Sequence, residues 1–225
     1  MNAIRWTEGE WSCTLLRCAA QDRPLVLWNA FEGDGSDLYA ALQGVGAPDC
    51  NLLTVSDIKW ERDLTPWACE PIFSGEEPYT GGADAFLKRV TEDILPKAYE
   101  EIRGTPAFSA IAGYSLAGLF ALYAPYRCDA FDRAASMSGS LWYPRLLPFI
   151  QTHAPVKRPE TVYLSLGDRE ARTRNPILRT VQENTEAVAK LFSDGGVRVT
   201  WELNPGNHFN DAIGRSARGV SAILQ

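Results

Sequence analysis

The chain has 225 residues, of which 45% are hydrophobic and 22% charged, with a formal net charge of −6 and an isoelectric point near 5.1. The length and the ratio of hydrophobic to charged residues predict a single domain that spans residues 1–225. The negative charge argues against nucleic acid or an anionic membrane as partner, because those surfaces attract clustered Lys and Arg. The amino-terminal segment lacks the basic and apolar stretches of a signal peptide and no run is long enough to span a membrane, so we expect a cytoplasmic protein.

The five cysteines are scattered along the chain. They lack the close pairs of a zinc site and the even number of a disulfide framework. We therefore expect reduced thiols that pack as small apolar side chains. The residues are Cys13, Cys18, Cys50, Cys69 and Cys128.

The amino-terminal quarter of the chain predicts mainly strands. β-branched and aromatic runs at 4–7, 11–19 and 25–30 are separated by turn-forming residues. A short helix over 37–42 and another strand over 50–55 follow.

Residues 56–81 combine prolines and glycines with aromatic side chains, a composition that does not support a long regular element. Long irregular segments are uncommon unless they serve a function, so this one is a candidate pocket wall or lid. The alternative is a compact loop that packs its aromatic residues onto the body of the protein. Those residues are Trp60, Trp67, Phe73 and Tyr79.

The rest of the chain predicts alternating helices and strands. Apolar residues recur at helical spacing over 83–103, where Pro96 should kink or restart the helix. Such alternation implies crossover connections and a mostly parallel sheet with helices on both faces. The further strands are predicted at 108–112, 134–137, 162–166 and 197–203, and the further helices at 116–123, 176–192 and from about 210.

The sequence Gly-Tyr-Ser-Leu-Ala-Gly at 113–118 lies between a predicted strand and a predicted helix, which is the context of a nucleophile elbow. A serine on such a sharp turn needs very small neighbours, and Gly113, Ala117 and Gly118 meet that requirement. Ser115 would lie at a helix start, where the Leu116 N–H is a natural oxyanion donor. A purely structural tight turn is the alternative.

The chain has two histidines. His208 lies between the last predicted strand and the last predicted helix, at the sheet edge where the elbow also lies. His153 lies in a proline-flanked stretch and is expected on the surface. The sequence therefore predicts Ser115 as nucleophile and His208 as general base.

An orienting acid is expected after the strand 162–166, in the sequence Gly-Asp-Arg-Glu-Ala-Arg. Asp168 and Glu170 both qualify, and their spacing does not decide between them. Either carboxylate could instead pair with a neighbouring arginine. The chain order of serine, acid and histidine is that of α/β-hydrolases.

These motifs together resemble the putative esterase family of α/β-hydrolases, which includes esterase D, feruloyl esterases and enterochelin-type siderophore esterases. The resemblance spans residue 24 to the end and implies an α/β-hydrolase fold without a large cap domain. The resemblance also implies that the orienting acid is Glu170 and not Asp168, because the acid of this family lies three residues after the glycine that ends the preceding strand. Asp is commoner than Glu at that position. The shared stretches are 81–87, 113–118, 137–142, 167–170 and 206–208.

The same topology predicts the remaining parts of a site. A second oxyanion donor should come from the loop after the third strand, at the backbone N–H of Phe31 or Glu32. Trp28 and Trp201, on strands, are expected in the core. Four aromatic residues are candidate pocket walls, with core packing as the alternative, namely Trp60, Trp67, Trp142 and Tyr143.

The sequence thus predicts a carboxylic ester hydrolase that cleaves a small-molecule ester through an acyl-enzyme intermediate, with neither metal nor organic cofactor. A thioesterase, acyltransferase or peptidase would share the acyl-enzyme step. A non-catalytic binding module on the same fold is an alternative from a different class. The natural ester, its acyl length and the oligomeric state are not specified by these motifs.

Overall fold

The computed structural model describes residues 2–72, 75 and 77–225. Its strands are β1 (Asn2–Glu8), β2 (Trp11–Arg17), β3 (Leu25–Asn29), β4 (Asn51–Ser56), β5 (Ala68–Cys69), β6 (Tyr79–Thr80), β7 (Ser109–Tyr114), β8 (Arg133–Met137), β9 (Thr161–Gly167) and β10 (Arg198–Asn204). Eight strands form one sheet in the order β1-β2-β4-β3-β7-β8-β9-β10, and β5 pairs with β6. In the large sheet, the pairs β1–β2 and β2–β4 are antiparallel and the other five pairs of described strands are parallel, so the predicted mostly parallel sheet is confirmed.

Helices cover both faces of the sheet, as predicted. They are α1 (Ser36–Gly44), α2 (Trp60–Asp63), α3 (Ala83–Arg89), α4 (Leu95–Glu101), α5 (Leu116–Tyr123), α6 (Leu146–Thr152), α7 (Val181–Asp194) and α8 (Ala212–Leu224). On one face, α1 and α8 pack on the sheet through residues such as Leu38 and Ile223. On the other, α3 to α7 contribute residues such as Phe86, Phe120 and Val188.

Burial on both faces explains the apolar strands. All residues of β3, β4 and β9 are buried, because each strand is hydrogen-bonded on both edges and covered above and below. β1, at the sheet edge, instead mixes exposed and half-buried positions. The central strands therefore hold their carboxyl ends, from which the site is built, at fixed positions.

The predicted interruption at Pro96 is a π-helical turn, Val90–Ile94, between α3 and α4. The Leu95 N–H donates to the carbonyl of Val90, five residues back. A proline has no N–H and its ring clashes with the carbonyl four residues earlier, so the wider turn absorbs the mismatch. Pro96 then lies in the first turn of α4, where the missing donor costs nothing.

Among the described residues of the segment 56–81, the regular elements are the four-residue α2 and the short β5–β6 pair, in keeping with the composition of this segment. Trp67, an aromatic residue of this segment, holds the segment against the loop of residues 143 and 144. The Trp67 indole donates to the Pro144 carbonyl at 2.9 Å, and the Tyr143 hydroxyl donates to the Trp67 carbonyl at 2.5 Å. Phe73 lies outside the described residues.

Two helix starts differ from the sequence prediction. The helix expected from 176 begins at Val181, because the Asn175 side chain accepts the N–H groups of Ile177 and Leu178 and caps a short 3₁₀ turn instead. The last helix begins at Ala212, directly after Asp211, whose φ of 52° is left-handed and ends the preceding loop.

All five cysteines are free thiols. Burial raises the pKa of Cys13 and Cys50 to about 12, so these thiols are poor nucleophiles. Within the part of the chain that the structure describes, no helix is both long and apolar enough to cross a membrane.

Candidate active site

Ser115 lies on the sharp turn between β7 and α5, with φ of 58° and ψ of −124°. Such a conformation is strained for a residue with a side chain and persists only when its surroundings fix it. Two backbone contacts do so: the Ser115 N–H donates to the Met137 carbonyl at 3.1 Å, and the Ser140 N–H donates to the Ser115 carbonyl at 3.0 Å. The hydroxyl of Ser115 is therefore held at the carboxyl end of the sheet.

The small residues around Ser115 are required by close backbone packing. A Cβ placed on Gly113 would lie 2.3 Å from the carbonyl carbon and oxygen of Ala117, which are backbone atoms that cannot move aside. A Cβ on Gly118 would lie 2.9 Å from Ser136 Oγ and 3.0 Å from the Gly113 carbonyl. Strand and helix thus approach as closely as the elbow interpretation of this sequence requires.

Three predicted side chains form one continuous chain of contacts. Ser115 Oγ lies 3.1 Å from His208 Nε2, and His208 Nδ1 lies 2.7 Å from Glu170 Oε2. A carboxylate accepts hydrogen bonds and does not donate them, so Nδ1 carries the proton and Nε2 is free to accept from the serine. The three residues come from the ends of β7, β9 and β10.

Glu170 is held as a buried carboxylate, with its side chain 5% exposed. Oε1 accepts the Gly167 N–H at 2.6 Å and the Ser138 hydroxyl at 2.7 Å. Burial by itself raises the pKa of Glu170, but the hydrogen bond and charge attraction from His208, together with the bonds from Gly167 and Ser138, outweigh burial and lower the pKa below its ordinary value. The Glu170 carboxylate is therefore ionised at neutral pH.

The two competing candidates lie elsewhere. Asp168 is 43% exposed and accepts the Gly206 N–H at 2.9 Å, so it braces the loop that carries His208 without contacting the imidazole. His153 is an exposed residue whose ring stacks on Phe149 at a centroid distance of 4.3 Å. Neither belongs to the cluster around Ser115.

Arg215 is the main residue of this region that the sequence analysis missed. Its side chain is 0% exposed. One guanidinium nitrogen lies 3.2 Å from Ser138 Oγ, 3.2 Å from Glu170 Oε1 and 3.4 Å from the Tyr114 hydroxyl, and the other donates to the Pro205 carbonyl at 2.9 Å. A signal was present, because Arg215 shares a helical face with Gly219 and Ile223, which are also buried. An arginine on an apolar face needs a buried partner.

Two adjoining cavities open at Ser115, and both include His208, Trp60 and Phe209 in their walls. The larger, of about 580 Å³, is mostly apolar, and the smaller, of about 320 Å³, has more polar walls. Besides the shared residues, the larger is lined by Trp28, Phe31, Glu32 and Ile213, and the smaller by Glu61, Leu116, Ser140, Trp142 and Leu178. Phe31 and Phe209 are exposed at the rim.

The aromatic candidates divide between cavity and core. Trp60 lines both cavities and Trp142 lines the smaller one. Trp67 and Tyr143 line neither of the two cavities, and their rings pack against each other at a centroid distance of 6.1 Å, in keeping with the alternative of core packing. Tyr143 is 1% exposed, and both side chains are engaged with backbone carbonyls, so they support the neighbouring loops. Trp28, expected in the core, is buried and also forms part of the larger cavity wall.

The predicted oxyanion donors border these cavities. Leu116 is the first residue of α5, and N–H groups in a first helical turn have no acceptor within the helix. The loop of Phe31 and Glu32 follows Ala30, whose N–H donates to the Val55 carbonyl at 2.9 Å and so anchors the start of the loop. The described residues contain no cluster of three or more His, Cys, Asp or Glu side chains arranged to hold a metal ion.

Comparisons with known proteins agree with this architecture. A family model described as Putative esterase matches residues 37–208. A protein named Uncharacterized protein YbbA, from Bacillus subtilis, is 26% identical over 176 residues, which cover 72% of this chain and 70% of YbbA.

Two solved structures share the fold across nearly the whole chain. The IroE-like serine hydrolase from Shewanella oneidensis has a TM-score of 0.80 at 16% identity, covering 98% of this chain and 79% of that one. Siderophore hydrolase EstA from Aspergillus nidulans has a TM-score of 0.73 at 19% identity, covering 99% and 93%. The predicted α/β-hydrolase fold is confirmed by this likeness.

Proposed function

The chain belongs to the putative esterase family and is a carboxylic ester hydrolase, and from this premise we propose that Ser115, His208 and Glu170 form its catalytic triad. The observation that carries the proposal is the contact chain from Ser115 Oγ to His208 Nε2 at 3.1 Å and from His208 Nδ1 to Glu170 Oε2 at 2.7 Å. A hydroxyl is a weak nucleophile, and this arrangement supplies the base that removes its proton and the carboxylate that orients that base.

In the first half-reaction, Ser115 Oγ attacks the ester carbonyl carbon while its proton passes to His208 Nε2. The carbonyl oxygen becomes an oxyanion, for which the N–H groups of Leu116 and of Phe31 or Glu32 are the proposed donors. Loss of one such donor typically costs about 3 kcal/mol of transition-state stabilisation. The carbon–oxygen bond to the alcohol then breaks, and the imidazolium protonates the leaving alcohol.

In the second half-reaction, a water molecule takes the place of the alcohol. His208 accepts a proton from the water, whose oxygen attacks the acyl carbon bound to Ser115. Collapse of the second oxyanion releases the carboxylic acid and returns the proton to Ser115. Glu170 stays ionised throughout and stabilises the imidazolium, which its lowered pKa and buried hydrogen bonds support.

The two cavities support a division of the substrate at the ester bond. We propose that the acyl group occupies the larger cavity, because its apolar lining, which includes Phe31 and Ile213, suits a hydrocarbon or aromatic group. The alcohol then lies in the smaller cavity, where Glu61 and Ser140 offer hydrogen-bond acceptors and donors. Siderophore esters belong among the test substrates because EstA is named as a siderophore hydrolase.

We also propose a cytoplasmic location. This proposal is supported by the five free thiols, because cysteines of secreted proteins are usually paired in disulfides. Subcellular fractionation of the source cells tests this directly, and recovery of the protein outside the cytoplasm would refute it.

Hydrolysis of p-nitrophenyl esters of increasing acyl length, of a thioester and of a siderophore ester tests the proposed function. The wild type should turn over the oxygen esters, and Ser115→Ala and His208→Ala should lose at least three orders of magnitude in kcat, roughly as loss of a triad member causes elsewhere. His153→Ala is the matched control and should keep full activity. If Ser115→Ala keeps wild-type turnover, the proposed triad is wrong. If the wild type strongly prefers the thioester, the proposed triad stands, but the proposed substrate class of oxygen esters is wrong.

A further inference from the structure

Arg215 is a positive charge buried in α8 without access to water. Burying a guanidinium group is unfavourable unless a carboxylate and further acceptors replace its hydration. Here the partners are Glu170, Ser138, the Tyr114 hydroxyl and the Pro205 carbonyl, all within 3.4 Å. Glu170 is the last member of the contact chain that starts at Ser115, and the other three partners lie beside that chain.

Glu170 divides its two oxygens between His208 and Arg215. Oε2 faces His208 Nδ1 at 2.7 Å, whereas Oε1 faces Arg215 at 3.2 Å and also accepts from Ser138 at 2.7 Å. The carboxylate is thus shared between an imidazole, which becomes a cation only during the reaction, and a guanidinium, which is a cation at all times.

We propose that Arg215 is a positioning residue for the reaction. It fixes the plane of the Glu170 carboxylate, and its positive charge weakens the electrostatic attraction between Glu170 and His208. The proposal rests on the proposed function of Ser115, His208 and Glu170. Without Arg215, the full negative charge of Glu170 would stabilise the imidazolium strongly and keep His208 protonated to higher pH. The Arg215 charge opposes this, so the base is available at lower pH.

Other titratable groups also face His208, and they constrain the test. In the described residues the Tyr114 ring lies 5.4 Å from the imidazole, and Glu32, Glu61 and Tyr79 share cavity walls with it. On the flanking loops, Asp168 accepts the Gly206 N–H and Asp211 pairs with Arg218. A substitution at Arg215 leaves all of these charges in place, so a change in pH dependence reports on the Arg215 charge itself.

The test is the pH dependence of kcat/KM on a p-nitrophenyl ester for Arg215→Met and Arg215→Lys. Arg215→Met keeps an unbranched side chain as far as the position of Nε and removes the charged guanidinium group. The acidic limb of the pH profile should therefore move up by about one pH unit, and kcat should fall about tenfold with KM unchanged. Arg215→Lys keeps the charge, so the limb should stay at its wild-type position. Its kcat should still fall several-fold, because an ammonium group does not reproduce the geometry of the four contacts.

Arg218→Met is the matched control, because Arg218 lies on the same helix with its side chain 41% exposed. Solvent screens that charge, so the acidic limb should not move measurably. Circular dichroism and thermal unfolding establish that each variant is folded at the assay temperature. A wild-type acidic limb in folded Arg215→Met overturns the proposal.

If Arg215→Met does not fold, Arg215→Lys decides. Wild-type kcat in that variant overturns the proposal, and a reduced kcat with unchanged KM and acidic limb supports it. Ser115→Ala and His208→Ala, in the same assay, separate the two proposals. If either keeps wild-type activity, the triad assignment fails and the Arg215 proposal fails with it; if both are inactive while the limb of Arg215→Met is unmoved, only the Arg215 proposal fails.

Discussion

The Tyr114 hydroxyl donates a hydrogen bond to the backbone carbonyl of His208 at 2.6 Å. Tyr114 directly precedes Ser115 in the chain, so the residue that begins the elbow also fixes the loop that presents the imidazole. Strand β7 and the loop after β10 are not neighbours in the sheet. This bond therefore links the loop of His208 directly to the elbow, in addition to the contact between His208 and Glu170.

Tyr114→Phe removes that bond and keeps the ring in the cavity wall. We expect kcat to fall about tenfold with little change in KM, because the loop of His208 loses a partly buried hydrogen bond worth about 1 kcal/mol and the imidazole is held less precisely. Steady-state kinetics on one ester measures this. Tyr126→Phe, at a buried tyrosine that lines neither cavity, is the control and should have wild-type kinetics. Equal kinetics in the two variants would show that the bond has no catalytic consequence.

Glu170→Gln tests the identity of the acid. An amide at this position can donate to Nδ1 and favour the wrong tautomer of His208, so kcat should fall by about three to four orders of magnitude. Asp168→Asn is the matched substitution at the competing carboxylate, and it keeps an oxygen that can accept the Gly206 N–H. Its kcat should stay within a few-fold of wild type. The reverse ranking of the two variants would identify Asp168 as the acid.

Ile213→Trp tests the placement of the acyl group. Ile213 is 43% exposed at the wall of the larger cavity, so a larger side chain there can occupy the cavity without disrupting the core. We expect the ratio of kcat/KM for octanoate over acetate esters to fall by roughly tenfold, since the longer chain loses its apolar contacts. Ile177→Trp, at a 40% exposed isoleucine, is the matched control. An unchanged ratio in Ile213→Trp would exclude the larger cavity as the acyl site.

Gly113→Ala tests the packing of the elbow. The added Cβ would lie 2.3 Å from backbone atoms of Ala117, so β7 and α5 must separate, and we expect the free energy of unfolding to fall by about 3 kcal/mol or more. Urea unfolding followed by fluorescence measures the change. Gly44→Ala, where a Cβ meets no atom within 4 Å, is the control and should be neutral or stabilising by up to about 1 kcal/mol. Equal midpoints for both variants would contradict the close approach.

The fold was largely predictable because its signals are local. Buried parallel strands are continuous apolar runs, and the small residues around Ser115 report a close backbone contact within six positions of the chain. Helix starts were less predictable. The start at Val181 depends on whether the Asn175 side chain caps a 3₁₀ turn, which residue type alone does not determine.

The site was predictable only where a motif fixes geometry. Asp168 and Glu170 lie in one tight turn, in which the Glu170 N–H donates to the Gly167 carbonyl at 3.1 Å, and the turn directs one carboxylate inward and the other to solvent. Residue types and spacing do not reveal that direction. For a related reason the sequence leaves open whether Trp67 and Tyr143 line a cavity or pack in the core, since an aromatic side chain suits both environments equally.

Labelling with a fluorophosphonate probe, followed by tryptic digestion and mass spectrometry, tests the central claim most directly. Trypsin separates Ser115, in the peptide 104–127, from Ser140, in the peptide 134–145, although the two hydroxyls lie 3.4 Å apart. We predict one phosphonyl group on Ser115 in the wild type and none in Ser115→Ala or His208→Ala. Labelling of Ser140, or an unlabelled wild type, would contradict the assignment of Ser115 as the nucleophile.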